Sequence, residues 1–429
     1  MRILFLNHNL AEHGNFFRAL KFAAFLADKG RDVTLVTSSH RWYRSDQYKR
    51  GKVQVIESPS WTPFVGNDEG WSPLGLLFRV WMLMKCRYDV IYGFSHKPVD
   101  FIPAFLSKLF RRSFYITDWC DWYGKGGMFS HRAKMRKKDP NMSRFIDSVF
   151  RFMEWAETHL EEAAPRKADM VTVICTSLYE RARKIGVPEK RLLHAVSGAD
   201  TVNIQPGNKK EARKILGIDF EETEPPVIFG YIANYHPDEK LLLKAFARVC
   251  EKKQNVKMLV AGPDFYLDES EINNMGLTVH YPAKSSASPE KSRIIHLGRV
   301  PFKQISTCLA ACDALLLPMT DIVFNRGRWP NKFGDYLAAG RPVVTNRVGD
   351  IPDILEKADC GYVSQPEPGD FADKMLKMAD ESQNWVRFGE NARKAAENIL
   401  NWNSIGNMFY QKFESLFPEI DNNLSKGER

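Results

Sequence analysis

Residues 2–38, RILFLNHNLAEHGNFFRALKFAAFLADKGRDVTLVTS, decide the fold. RILFLN (2–7) is a short apolar run, as expected of a strand buried on both faces. NFFRALKFAAFLADKG (15–30) is amphipathic and stops on Gly30, a residue suited to the turn that ends a helix. DVTLVTS (32–38) reads as a second buried strand. Strand, helix and strand in that order make the repeating unit of a parallel sheet.

Outward from this unit the alternation continues. Strand-like runs follow at VQVIES, DVIYGF, SFYITD, MVTVIC and RLLHAV. Residues 205–226, QPGNKKEARKILGIDFEETEPP, are polar, proline-bearing and charged, and read as a linker. A second series then opens: VIFGYIA, VKMLVAG, RIIHLG, ALLLP, PVVTN and GYVS. Two such series predict an α/β protein of two doubly wound Rossmann-like domains. The expected divisions are 1–205, a linker over 206–226, a second domain over 227–398, closing helices over 399–421 and a loose tail over 422–429.

At 429 residues the chain is too long for one ordinary core. MRILFLNHNL fits no secretory leader. PLGLLFRVWMLMKC is interrupted by Arg79 and is too short to span a bilayer. The chain is therefore expected in the cytoplasm, with peripheral attachment at the inner face of the membrane as an option. Its seven Cys residues show no CxxC spacing and read as buried thiols in a reducing compartment. No His/Asp cluster with metal-ligand spacing occurs, so no metal is expected. Charge is uneven: residues 1–200 hold 32 Lys+Arg against 21 Asp+Glu, and the remainder 29 against 31. A basic first half points to an anionic partner for that half. No nucleic-acid-binding module is present.

RGRWPNKFGDYLAAGRPVVTN is the most informative stretch. Pro330 suits a first helical turn, Phe333 and Leu337 share one face, and Gly340 ends the helix. A cation at Lys332 opposes the helix dipole unless an anion is held there. Asp335, one turn deeper, is placed to accept hydrogen bonds from a pair of hydroxyls. The same two residues read equally well as a solvent-facing lysine and a local cap.

Elsewhere Gly14 opens the first strand–helix turn, where backbone N–H groups can approach a phosphate or an acceptor, and Arg18 follows one turn later. TDWCDWYGKGG, after the fifth strand, offers Asp118 and Asp121 as acids. Trp119 and Trp122 are candidate stacking platforms, and His96 closes another strand. Capping and core roles explain this set equally well. Five basic residues among 132–138 follow, and they suit an anionic membrane surface or a solvated loop.

PNKFGDYLAAGRPVV resembles the donor-site helix of family four of the retaining glycosyltransferases, the GT-B glycosyl transferases group 1. The closest branch has the motif P-x-K-x-x-(E/D)-Y-x-A-x-G-x-P-V. GNFFRALKFAAFLADKGRDVTLVTS, HAVSGADTVNIQP, HLGRVPFKQISTCLAACDALLLP and the segment around Trp402 resemble further family segments in order. The resemblance implies two domains facing each other, closing helices that return to the first, and transfer from a nucleoside diphosphate-sugar. It implies a carbohydrate or lipid-linked acceptor, retention of configuration and no separate cofactor, the leaving diphosphate taking the acceptor proton.

It implies Asn331, Lys332, Asp335 and Tyr336 at the donor, with Lys332 on the diphosphate and Asp335 on the ribose. Gly14, Asn234, Lys240 and Arg299 join them. Asn15, Arg18, Trp119, Asp121 and Trp122 are expected to face the acceptor, and Lys332, Asp335, Asp118 and His96 to lie nearest the chemistry. The family's first motif acid falls at Gly327 and its loop arginine at Asn234, so both are missing here. Arg299, Arg326 and Arg328 are the candidate replacements. A nucleotide-sugar epimerase and a non-catalytic sugar-nucleotide binder are the alternative readings.

Overall fold

The computed structural model describes residues 1–62, 69–128, 130, 144–218, 220, 225–282 and 291–417. The chain forms two compact units. One comprises Met1–Ser197, Gly327–Trp329 and the described chain from Trp402 on; the other comprises Gly198–Arg326 and Pro330–Asn401.

In the first unit the strands are β1 (Arg2–Leu10), β2 (Asp32–Ser38), β3 (Asp46–Arg50), β4 (Val53–Ser58), β5 (Val90–Gly93), β6 (Phe114–Trp119), β7 (Met170–Val173) and β8 (Leu192–His194). They lie in the order β3-β4-β2-β1-β5-β6-β7-β8. Every pairing is parallel except β3 with β4. All seven runs read from the first half of the sequence are strands. The helix between β1 and β2 spans Phe16–Asp28 and buries Phe16, Ala19, Phe22, Ala23 and Leu26. Gly30 ends it at φ +81°, the left-handed conformation that glycine adopts without a Cβ penalty. The closing helix Trp402–Leu416 sends Phe409 and Phe413 into this core, where Phe409 stacks on Tyr92 with ring centroids 5.5 Å apart.

The second unit holds β9 (Val227–Ile232), β10 (Val256–Ala261), β11 (Val279–His280), β12 (Ile294–His296), β13 (Ala314–Leu317), β14 (Val343–Asn346) and β15 (Gly361–Ser364). Their order is β11-β12-β10-β9-β13-β14-β15, and every pairing is parallel. Each sheet reverses its winding once, between β1 and β5 in the first and between β9 and β13 in the second. Sheets of this kind bind ligands beyond the carboxyl ends of the strands at that reversal.

One expectation needs correction. The presumed linker is not an open connection: it carries the helix Lys209–Ile215, capped by the Asn208 side chain. Arg213 in that helix donates to the Ala311 carbonyl and the Asp313 carboxylate, so the stretch belongs to the second unit from Gly198 onward. The chain after Asn384 is helical in two pieces, Trp385–Asn398 and Trp402–Leu416.

Candidate functional site

At the carboxyl ends of β9 and β10 the second unit gathers positive charge around one buried histidine. His236 lies in the loop after β9, and its Nε2–H donates to the Pro263 carbonyl at 2.6 Å. His296 donates to the same carbonyl at 3.0 Å while its Nδ1 accepts the Gly298 N–H. Both tautomers are therefore fixed with the proton on Nε2. Burial pushes His236 down to about 4, and the charges of Lys332, His296 and Arg299 push the same way. The His236 ring is neutral at ordinary pH, and its Nδ1 is buried without a hydrogen-bond partner among the described residues.

Lys332 opens the helix Lys332–Ala338, which starts later than its proline suggested: Asn331 is the N-cap and Pro330 precedes it. The Lys332 ammonium lies 4.5 Å from the centroid of the Tyr231 ring, at the end of β9. Arg299 is exposed and makes no ion pair with any described residue. Asn234 and Lys240 are exposed as well.

Asp335, in the first turn of the same helix, is half-buried. Protein packed around its carboxyl, and secondarily the charge of Asp200, push it up to about 7. Its carboxylate accepts no hydrogen bond from any described residue. Asp200 is a member of the site that the sequence reading passed over. Helix and Asp200 segment come together because residue 334 is glycine. A Cβ there would lie 3.1 Å from the Ala199 Cα, closer than a side chain ordinarily packs.

The structure places the remaining candidates differently. Tyr336 is fully buried, its hydroxyl accepting the Ile232 N–H at 3.0 Å, so it braces β9 rather than touching a ligand. Arg326 pairs with Asp321, and Arg328 forms an isolated backbone bridge with Asp121 in the first unit. Arg299 alone of the three replacement arginines lies beside His236. Gly327, at the position of the missing acid, accepts the Trp122 N–H at 2.9 Å.

In the first unit Arg18 and Asp118 are fully buried, joined by two bonds of 2.9 Å. Arg18 also donates to the Ala195 carbonyl at 2.7 Å, and Thr172 donates to Asp118. This closed pair leaves neither group for a ligand. Trp119 is wholly buried with its indole N–H on Glu161, and the face of Trp122 is covered by the Arg181 guanidinium at 4.1 Å. Neither ring is an open stacking platform. Asn15 turns its amide inward, to the Cys120 sulfur and the Tyr123 hydroxyl. Gly14 is left-handed at φ +52°, against the Asn9 side chain. His96 is buried with both ring nitrogens unpartnered among the described residues, and burial, then Arg181, push it down to about 3. The basic run 132–138 lies outside the described residues.

Comparison with known proteins matches each unit to its own family. Residues 18–201 match Glycosyltransferase Family 4, and residues 226–381 match Glycosyl transferases group 1. Spore coat protein SA of Bacillus subtilis is 22% identical over 180 residues, 41% of this chain and 44% of that protein. N-acetyl-alpha-D-glucosaminyl L-malate synthase of Bacillus anthracis is 22% identical over 235 residues, 53% of this chain and 55% of that one. The chain thus spans about half the length of these relatives.

Sucrose-phosphate synthase from Thermosynechococcus elongatus superposes with a TM-score of 0.72 at 13% identity, covering 98% of this chain and 100% of that one. HepE from Anabaena, solved with UDP and glucose, gives 0.65 at 16% identity over 97% and 100%. These likenesses bear out the expected fold, two doubly wound domains of the GT-B type.

Proposed function

We propose that this chain, with a Glycosyltransferase Family 4 domain followed by a Glycosyl transferases group 1 domain, is a nucleotide-sugar-dependent glycosyltransferase that retains anomeric configuration. One observation carries the reading: Lys332, Arg299 and neutral His236 ring the carboxyl ends of β9 and β10, with the unbonded Asp335 carboxyl beside them. Such a rim suits a diphosphate on its cationic side and a ribose on its acidic side. HepE was solved with UDP and starch synthase IV of Arabidopsis thaliana with ADP, which supports a nucleoside diphosphate in the corresponding fold.

In this reading Lys332 and Arg299 hold the leaving diphosphate. Their attraction grows as the sugar–oxygen bond breaks and charge accumulates on the phosphate, so they act mainly on the transition state. Asp335 receives the ribose hydroxyls. The acceptor hydroxyl attacks the face the diphosphate leaves, and its proton passes to the departing phosphate oxygen. This chain's residues then need supply no general base, which agrees with His96 being too weakly basic for that role. The acceptor in this reading is a carbohydrate or a lipid-linked acceptor.

A thermal-shift series with UDP, ADP, GDP and the corresponding monophosphates tests the reading. A ligand at about 100 times its dissociation constant stabilises by about 2.7 kcal/mol. One diphosphate should raise the melting temperature well beyond its monophosphate, and its sugar ester should be consumed only with an acceptor present. Turnover in buffer alone favours the epimerase. The absence of any diphosphate response sinks the proposal.

A further inference from the structure

Two adjoining helices of the first unit carry exposed apolar surface. Pro73–Lys85 buries Gly75, Arg79, Met82 and Leu83. On its outer side Leu77, Trp81 and Met84 follow at i, i+4 and i+7, and they are 64%, 51% and 65% exposed. A surface helix normally carries polar groups on that stripe; this one is apolar on both sides. The neighbouring helix Pro98–Arg111 ends on Leu109 and Phe110, 60% and 74% exposed. Arg111 donates to the Met84 carbonyl at 3.0 Å, which ties the two helix ends together.

Cations border the patch. Lys85, Arg87, Arg111 and Arg112 are exposed, and Lys85, Arg87 and Arg112 make no ion pair with any described residue. Carboxylates are withheld. Asp100, the one acid on the two helices, is wholly buried against Arg79, and Asp89 between them accepts the Arg2 N–H.

We propose that this face seats the protein on an anionic lipid bilayer, the apolar stripe entering the headgroup–acyl boundary and the cations meeting lipid phosphates. Trp81 suits that depth, since its ring is apolar while its indole N–H seeks water. Among the described residues no helix is long and apolar enough to cross a membrane, so the attachment is lateral. Charge argues against a second copy of the chain as the occupant. Across a two-fold axis the bordering cations of each copy face the same cations of the other, with no exposed carboxylate on either helix to answer them. An anionic bilayer meets both the apolar stripe and the cations. The assignment is independent of the donor site.

The test is co-sedimentation of the full chain with vesicles of phosphatidylglycerol and phosphatidylcholine in equal parts, against phosphatidylcholine alone. Two variants accompany it: Leu77→Ser/Trp81→Ser/Met84→Ser, and Lys85→Gln/Arg87→Gln/Arg112→Asn. Asn is chosen because Arg112 is left-handed at φ 57°. The altered side chains point outward, so both variants should keep the wild-type melting temperature. Wild type should bind the anionic vesicles and not the neutral ones. Removing three cations should weaken binding by about a hundredfold, at about 1 kcal/mol for each, and removing the apolar stripe by a similar factor.

No binding by wild type overturns the proposal. So does binding that both variants retain and only Gln at the basic positions of 132–138 abolishes. Light scattering that shows a dimer dissolved by the Ser variant, with vesicles ignored, assigns the face to a second copy and overturns it too.

Discussion

The two units present the same rim, the carboxyl ends of a doubly wound sheet, in opposite electrostatic states. In the first, four ion pairs among the described residues are buried behind it. Arg18 holds Asp118, Arg79 holds Asp100, Lys97 holds Glu157 and Arg181 holds Glu161. In the second, the buried pair Arg213–Asp313 lies before β13, at the other end of the sheet. Its carboxyl rim keeps Lys332, exposed Arg299 and an Asp335 carboxyl with no hydrogen-bond donor among the described residues. A neutralised rim contributes rigidity. Arg299, which makes no ion pair with any described residue, gains when an anion arrives, which is the property a diphosphate site needs.

The largest effect should come from opening one of the paired charges. Arg18→Met leaves the Asp118 carboxylate buried without its partner, and breaking a buried pair from one side costs about 3–5 kcal/mol. The urea midpoint should fall accordingly, while nucleoside diphosphate affinity below the transition stays at the wild-type value. The double change Arg18→Met/Asp118→Leu should recover part of the loss, because no stranded charge remains. Unchanged stability with lost nucleotide binding would reverse the contrast and place function in the first unit.

Lys332→Ala should do the opposite: little change in unfolding midpoint and a large loss of rate. A charge-assisted bond that strengthens as the leaving group gains charge contributes roughly 2–3 kcal/mol, or about a hundredfold in turnover. Single-turnover kinetics at saturating donor measure it. Turnover equal to wild type shows that the anion lies elsewhere.

Most strands could be read from the chain because a doubly wound sheet buries both faces of its interior strands, and residues such as RILFLN and VKMLVA have no polar alternative. β3 was missed for the same reason inverted: DQYKR is an edge strand, antiparallel and largely exposed, with no apolar run to betray it. β11 has only two residues. Lys332 and Asp335 stood out through helix logic and a familiar motif. Pairing across distance did not show. Arg18 and Asp118, one hundred residues apart, each read as a ligand contact in the sequence, and only the folded chain bonds them to each other. Asp200 became visible only where Gly334 lets its segment approach the helix. His236 was hidden because its tautomer is set by a carbonyl in the loop after β10.

The smallest effect is the most specific, because its sign depends on pH. Asp335 ordinarily loses its proton near 3.8, and in the folded chain it does so near 7. Between those values the unfolded chain has released the proton and the folded chain still holds it, so this group's contribution to stability falls as pH rises and levels off above about 7. The carboxyl is half-open to solvent, and a discounted figure of about 1 kcal/mol at pH 8 is appropriate. Asp335→Asn has no proton to lose. Its melting temperature should therefore match wild type near pH 3.5 and exceed it by a few degrees at pH 8. Nucleotide affinity should move the other way, by about tenfold, since an amide accepts ribose hydroxyls less well than a carboxylate. Hydroxyl donors also favour the ionised form, so wild type should release protons on binding diphosphate near pH 7. Asp335→Asn should lose that release, which calorimetry in buffers of different ionisation enthalpy would show. A variant that is stabilised at pH 8 yet binds and releases protons like wild type keeps the strained carboxyl but removes the ribose from it.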